Sequence, residues 1–312
     1  MENTEQEITE TDQALSVPEI LESFRIMDGI YKREEIDAAI ELKDLITPHL
    51  IAILENLLAN PQRYVEDHSL YDHIYAIMLL GHFKEPRAHQ VIIDIFSLPE
   101  DLPDQLFGDI CTTDLPVILL NICNGSVENI KSLILNGKAD DFCRLSACQA
   151  LAYAVVEGYI SRENALGFFN TLFTGAEADE ISDFWGLLAI IILDLYPEES
   201  MEVIKQAYDD ELIFSGMVQF SDFEKALSLG RDKCLEKLKN DLAKDSLDDI
   251  HARMSWWHCF DQQSKTIPAP DLDGGLFSGY SNQVSDKVQK DKKKHKKKKR
   301  KQAKASKKKN RR

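Results

Sequence analysis

The densest group of potential metal ligands is a set of four histidines, His68, His73, His82 and His89. A helix through this stretch places His73 and His82 on opposite sides of its axis, because nine residues make two and a half turns. His68 and His89 lie outside that helix, and the sequence has no C-x-x-C or H-E-x-x-H motif. These spacings favour structural or surface histidines, so we predict no metal site and no cofactor.

The acidic side chains give no preformed catalytic pair. Adjacent residues of a helix point about 100° apart, so neighbouring carboxylates do not converge on one substrate. Capping of helix starts or a solvated acidic face accounts for them. The adjacent pairs are Asp140-Asp141, Asp209-Asp210 and Asp248-Asp249.

The run Trp256-Trp257-His258-Cys259 is more unusual. Two adjacent tryptophans on a helix face different directions, so one can pack in the core while the other covers the end of a stack. We predict this capping role for Trp256 and Trp257, with partner binding or thiol chemistry as the alternative. Cys259 beside His258 resembles a nucleophile pair, but neighbours in sequence seldom align for proton transfer.

Motifs that cradle phosphates or present a nucleophile are missing from the sequence. It has no G-x-x-x-x-G-K-[ST], no G-x-G-x-x-G and no G-x-S-x-G. We therefore predict no catalytic and no cofactor-binding residues. An enzyme is expected only if its site is assembled from distant parts of the chain.

Charge is distributed unevenly along the chain. The net charge is −16, yet residues 287–312 hold 17 of the 37 Lys and Arg and one of the 53 Asp and Glu. The tail therefore carries +16, and the rest, with 20 basic and 52 acidic side chains, carries −32. A Lys-rich tail without aromatic residues attracts polyanions in a salt-dependent way but does not read bases. The predicted polyanion-binding residues are Lys292, Lys293, Lys294, Lys296, Lys297, Lys298, Lys299, Arg300, Lys301, Lys307, Lys308, Lys309, Arg311 and Arg312.

The body of the chain is predicted to be all-α. From Leu70 to Asp101, apolar residues at helical spacing predict two helices joined by a tight turn. The first helix ends near Gly81, and Pro86 suits the first turn of the second. Such a hairpin cannot bury both of its apolar stripes alone, so it must stack on neighbouring pairs.

Local signals place several other helix starts. Ser16 opens a capping box with Glu19, and Thr47-Pro48 is typical of an N-cap followed by a first helical residue. Ser246 is the predicted start of the last helix.

Two segments resemble HEAT-type helical repeats, and the wider pattern over residues 15–260 resembles a bacterial family, domain-of-unknown-function family 1186. The repeats are Leu79-Leu80-Gly81 with Glu85-Pro86-Arg87-Ala88, and Arg144-Leu145-Ser146-Ala147-Cys148-Gln149-Ala150-Leu151. The family resemblance is carried by Ile46-Thr47-Pro48, His73-Ile74-Tyr75-Ala76, Phe83-Lys84-Glu85-Pro86-Arg87-Ala88, Phe107-Gly108-Asp109 and Met254-Ser255-Trp256-Trp257-His258-Cys259-Phe260. It implies structural repeat roles for Pro86, Arg87 and Arg144. Some members append a Cys/His zinc module, but no Cys follows Cys259, so the resemblance implies no zinc here.

The sequence thus predicts an acidic arm (1–15), a HEAT-like α-solenoid (16–260), a flexible linker (261–286) and a disordered Lys-rich tail (287–312). No apolar run approaches the roughly 20 residues of a membrane helix, and the acidic N-terminus is no secretory signal. The six scattered cysteines are expected to be reduced core residues. We therefore expect a cytoplasmic protein, or nuclear-type targeting by the tail in a eukaryotic setting.

The predicted function is a non-catalytic scaffold that binds a protein partner, with the tail attracting polyanions. Two alternatives remain open: a nucleic-acid-associated protein that binds through the tail, and an enzyme with a dispersed site. The tail can also contact the acidic body of its own chain, or serve only as a solubility segment.

Overall fold

The computed structural model describes residues 14–99, 101–179 and 182–260. The predicted linker and tail, and all but residues 14 and 15 of the predicted arm, lie outside these ranges. Within them all regular structure is helical, apart from two isolated β-bridges, so the all-α prediction is confirmed. The α-helices are α1 Val17–Arg25, α2 Arg33–Glu41, α3 Lys43–Ala59, α4 Pro61–Glu66, α5 Asp72–His82, α6 His89–Phe96, α7 Leu102–Phe107, α8 Ile110–Thr113, α9 Leu115–Ile122, α10 Glu128–Leu135, α11 Asp141–Val156, α12 Arg162–Asn170, α13 Phe184–Asp194, α14 Met201–Asp209, α15 Phe220–Leu229, α16 Arg231–Lys244 and α17 Ile250–Met254.

Four helices, α5, α9, α11 and α13, pack side by side in that order and form a central row. Their sequences are apolar around most of the circumference, which is typical of helices that are covered on every side. Helix α13, for example, buries every residue from Phe184 to Ile192. In α11 the small buried residues Ser146, Ala147 and Ala150 allow close contact with α9 and α10.

Two further sets of helices cover this row. One set consists of α3, α6, α10 and α12: α3 packs on α5 and α6, α6 on α10, α10 on α11, and α12 on α11 and α13. The other set comes from the C-terminal part of the body, where α15 and α16 pack on α13, α16 also on α11, and α17 on α5. The chain therefore turns back along the row after α14, which explains why the central helices are apolar all round.

We call residues 245–260 the C-terminal strap, because they connect the end of the body to its first helices. His251 lies between the N-terminal residues Tyr31 and Asp37: its Nδ1 is 2.8 Å from Tyr31 Oη, and its Nε2 is 2.8 Å from Asp37 Oδ1. His82 Nδ1 donates to the backbone oxygen of Leu247 at 2.7 Å. Residues more than 160 positions apart are thus held together by polar contacts.

Gly81 marks the closest approach between α5, α9 and the strap. A Cβ atom at this position would lie 2.9 Å from Ile118 Cγ1 and 2.9 Å from Leu247 Cδ1, closer than packed carbon atoms come. Glycine is therefore required here by packing rather than by backbone conformation.

Three buried arginines form hydrogen bonds to the ends of neighbouring helices. Each donates to a backbone oxygen near the C-terminus of a neighbouring helix, where carbonyl groups have no partner within their own helix. The bonds are Arg144 Nε to Ile134 O (3.0 Å), Arg162 Nε to Leu195 O (2.8 Å) and Arg253 Nη2 to Thr113 O (2.8 Å). Arg144 also stacks over the ring of Phe184, 4.3 Å from its centroid.

The predicted hairpin is confirmed as α5 and α6, joined through a 3-10 turn at Pro86–Ala88. Two predicted helix starts are wrong. Helix α3 begins at Lys43, so Pro48 lies inside it, and packing of buried Ile46 extends the helix upstream of the proline. The last helix begins at Ile250, because Asp249 rather than Ser246 caps it by accepting from Ala252 N.

Candidate functional site

A cavity of about 610 Å³ lies between the segment from the end of α4 to the start of α5, the segment from α7 to α8, and the C-terminal strap. Three separate stretches of the chain supply its walls, so it exists only in the folded protein. Its lining residues are Tyr64, His68, Leu70, Tyr71, His73, Ile74, Gln105, Leu106, Phe107, Gly108, Asp109, Ile110, Thr113, Asp114, Arg253, Trp256, Trp257, His258 and Cys259.

The turn Phe107-Gly108-Asp109 shapes one side of the cavity. Gly108 ends α7 with φ +51° and ψ −130°, a backbone conformation that residues with a Cβ rarely adopt. This turn lets the chain reverse between α7 and α8, so that Phe107 is buried in the wall while Asp109 stays exposed at the rim.

His73 is a deeply buried polar residue of the wall, with 4% of its surface exposed. Its Nε2 donates to Leu106 O at 2.9 Å, which leaves Nδ1 as an acceptor without a hydrogen-bond partner. Burial lowers the pKa of His73 to about 4, so the ring is neutral at pH 7. Tyr64 and Phe107 meet the ring edge-on, with centroids 5.0 and 5.3 Å away.

A buried ion pair holds the strap against the opposite wall. Arg253 Nε donates to Asp114 Oδ1 at 2.5 Å, and only 6% and 4% of these side chains are exposed. Asp245 Oδ1 lies 3.7 Å from the same guanidinium, and Asp245 Oδ2 accepts from Tyr153 Oη at 2.7 Å. Burial raises the pKa of Asp245 to about 6. The group therefore contains two carboxylates and one guanidinium.

The strap also supplies the aromatic part of the wall. Trp257 stacks on Phe260, with centroids 6.2 Å apart and planes 5° from parallel. The indole Nε1 of Trp256 is buried without a hydrogen-bond partner. Tyr71 Oη lies 3.3 Å from the sulfur of Cys259, which is the exposed one of the six cysteines.

The structure brings some of the predicted residues together and leaves others apart. Trp256 and Trp257 both line the cavity, beside helices of the N-terminal half. Pro86 and Arg87 lie in the turn between α5 and α6, and Arg144 lies buried in α11, all outside the cavity. The Lys-rich tail lies outside the described residues.

Sequence reasoning missed the cavity itself and the pair of Asp114 and Arg253. The sequence contains one signal for the cavity. Three of the segments that carry the family resemblance, around His73, Phe107 and Trp256, meet in the cavity wall. Among the residues that the structure describes, no group of three or more His, Cys, Asp or Glu is arranged to hold a metal ion. What the arrangement offers is an aromatic wall with a few fixed polar atoms, the composition of a binding site.

Comparison with known proteins gives this body a family. A profile for proteins of unknown function, DUF1186, matches residues 15–261. The chain belongs to the DUF1186 family. An uncharacterised protein of Chlamydia trachomatis is 31% identical over 239 residues, which are 76% of this chain and 95% of the relative. One of Chlamydia muridarum is 31% identical over 244 residues, 78% of this chain and 97% of the relative.

No solved structure matches this DUF1186 chain. The match to the family ends at residue 261, so the cavity lies wholly within the shared body and the Lys-rich tail lies beyond it. None of the helices within the described ranges is long and apolar enough to cross a membrane.

Proposed function

We propose that this DUF1186 protein is a non-catalytic binding module that holds a segment of a protein partner in the cavity beside the strap. One observation carries the proposal: three stretches of the chain that are far apart in sequence enclose a cavity whose wall is mainly aromatic and aliphatic. A concave site of this composition, with a few fixed polar groups, is typical of ligand binding.

The shape and composition of the cavity support binding of a short segment. Its volume of about 610 Å³ is within the range of ligand sites, and its walls are mainly aromatic and aliphatic. The extent of the family match also supports a role for the body, because the relatives align over nearly their whole length with it.

Cys259 provides a direct test. It is the exposed cysteine at the cavity, and the other five cysteines are buried, so a bulky maleimide will attach selectively at the opening. Affinity capture from an extract of the source organism, quantified by mass spectrometry, is compared between labelled and unlabelled full-length protein. We expect one or more partners to be lost on labelling.

The control is Cys259→Ser treated with the same maleimide, which should keep the partners. A capture profile that labelling leaves unchanged contradicts the proposal. So does a robust turnover in an unbiased substrate screen that a point substitution in the body abolishes.

Binding of polyanions through residues 287–312 is a second candidate function, favoured by the 17 cations in that segment. Each phosphate contact releases a counterion, so affinity should fall steeply with salt. Deletion of 287–312 should remove salt-sensitive retention on a nucleic-acid column. Unchanged retention would exclude this role for the tail.

The same deletion tests whether the tail covers the acidic body. A linker of 26 residues spans on the order of 28 Å, enough for the tail to reach the body from which it departs. If the tail masks the binding surface, removing 287–312 should strengthen partner binding at low salt. Equal affinities with and without the tail count against masking.

A further inference from the structure

The cavity is rich in aromatic rings and has no free cationic side chain in its wall. Tyr64, Tyr71, Phe107, Trp256 and Trp257 all contribute surface to it. The face of an aromatic ring attracts a cation, most strongly for Trp and where water is excluded. A wall of this kind discriminates between a cationic group and a neutral group of equal size.

The charges around the cavity also favour a cationic ligand. Among its described lining residues Arg253 is the one Lys or Arg, and its guanidinium is occupied by Asp114, Asp245 and the backbone oxygen of Thr113. Asp109 adds an exposed carboxylate at the rim. The wall therefore has an excess of negative charge, which disfavours an anionic ligand.

Two buried acceptor atoms lie behind the wall. His73 presents an unprotonated Nδ1, which accepts hydrogen bonds, and beside it the buried Oδ1 of Asp72 has no hydrogen-bond partner. These two atoms are 3.9 Å apart, and both would be satisfied by a donor rather than by an acceptor. Beyond the cavity, the chain outside the tail carries −32, a field that concentrates cations near the surface.

We propose that the cavity recognises the alkylammonium group of a Lys side chain, presented by a basic segment of the partner. The aliphatic stem packs against the aromatic wall, and the ammonium group lies over the rings near Asp109. This assignment rests on the proposed function, since it names the chemistry of the segment that the cavity holds.

The test uses the full chain and a pair of capped tripeptides that differ in one group. The first has a central Lys between two Gly residues, and the second has norleucine, which is similar in length but lacks the ammonium group. Two of the three tryptophans of the chain line the cavity, so their fluorescence reports binding directly. We expect saturable binding that is at least about fivefold tighter for the Lys peptide.

Equal affinity for the two peptides, or no saturable response to the Lys peptide, overturns the inference. Choline is titrated in parallel as a free quaternary ammonium compound. A response to choline without a response to the Lys peptide would assign the cavity to a small molecule and overturn the peptide assignment.

Two substitutions locate the binding. Trp257→Leu keeps an apolar side chain but removes the ring, and it should weaken the Lys peptide more than the norleucine peptide. Asp109→Asn removes the rim carboxylate, and it should weaken the Lys peptide and leave the norleucine peptide unchanged. Asp104→Asn, an exposed carboxylate of the same region that does not line the cavity, is the matched control. Equal weakening by Asp104→Asn would indicate general electrostatic attraction and overturn the assignment to the cavity.

The inference and the proposed function can fail separately. If labelling of Cys259 removes captured partners while the two peptides bind equally, the cavity binds a segment by apolar contact and the ammonium assignment falls. If labelling changes nothing while the Lys peptide still binds at the tryptophans, the cavity is a site for cations without the proposed partner.

Discussion

Replacing Arg253 should destabilise the protein strongly, because this side chain neutralises a buried carboxylate that no other cation reaches within the described part of the chain. Arg253→Met keeps much of the aliphatic packing but removes the bonds to Asp114 and to Thr113 O. Asp114 is 4% exposed and is left with one hydrogen bond, from Thr113 Oγ1 at 2.5 Å.

The expected magnitude follows from this burial. Removing one partner of a buried ion pair typically costs about 3–5 kcal/mol, since the other charge remains desolvated. Asp114→Asn in the Arg253→Met background removes the orphaned charge, so the double variant should recover a large part of the loss. The free energy of unfolding is measured by urea denaturation of the full chain, followed by circular dichroism at pH 7.

Arg231→Met is the control for the loss of an arginine as such. Arg231 pairs with Glu163 at 3.0 Å, but both side chains are half exposed, so its replacement should change the free energy of unfolding by less than about 1 kcal/mol. A loss for Arg253→Met no larger than that for Arg231→Met, or a double variant no more stable than the single one, would refute the reasoning.

Further predictions concern packing, pH and the buried arginines. Gly81→Ala should reduce the free energy of unfolding by about 1–3 kcal/mol through overpacking. Gly167 is an exposed helical position with open space around it, so Gly167→Ala should be neutral or slightly stabilising in the same urea titration. Burial raises the pKa of Asp245 to about 6 from 3.8, so the native state binds this proton more tightly and the contribution of Asp245 to stability falls as pH rises from about 4 to 6. Burial lowers the pKa of His73 to about 4 from 6.5, so its contribution falls as pH decreases through the same range. Asp245→Asn should therefore remove the contribution that opposes that of His73. The free energy of unfolding of this variant, measured from pH 4 to 6.5, should rise with pH more steeply than that of the wild type. An unchanged pH dependence contradicts this prediction. Arg144→Lys should lower stability by about 1–3 kcal/mol, because one ammonium group cannot reach both backbone oxygens that the guanidinium binds; thermal or urea unfolding at the wild-type level would show that the fork geometry is dispensable.

Much of the helical architecture can be predicted from local patterns in the sequence. Ser16 and Glu19 form the predicted capping box at the start of α1, and the two apolar stripes after Leu70 form the predicted hairpin. These features can be predicted because the interactions that stabilise them are local: a cap, a turn and a periodic apolar stripe each involve residues close together in sequence. Where tertiary packing competes, local signals fail, as at Pro48, which the helix simply incorporates.

The cavity could not be predicted in the same way. Asp114 and Arg253 are 139 positions apart, and neither lies in a motif that indicates a partner. The pair Trp256-Trp257 is unusual in sequence, but its position beside α5 depends on the path of the strap, which no local spacing determines. The resemblance to a family marked three of the segments that form the cavity, yet it did not say that they meet.

The contact of the strap with the first helices also bears on how the chain acquires its structure during synthesis. In a simple solenoid each repeat touches only its neighbours, so folding can proceed from the N-terminus as repeats leave the ribosome. Here α5 contacts α17, and Tyr31 contacts His251, so the N-terminal helices lack part of their packing until residue 254 or beyond has emerged. A nascent chain that stops before the strap should therefore remain sensitive to proteases in its N-terminal helices, and the finished body should unfold as one cooperative unit rather than repeat by repeat.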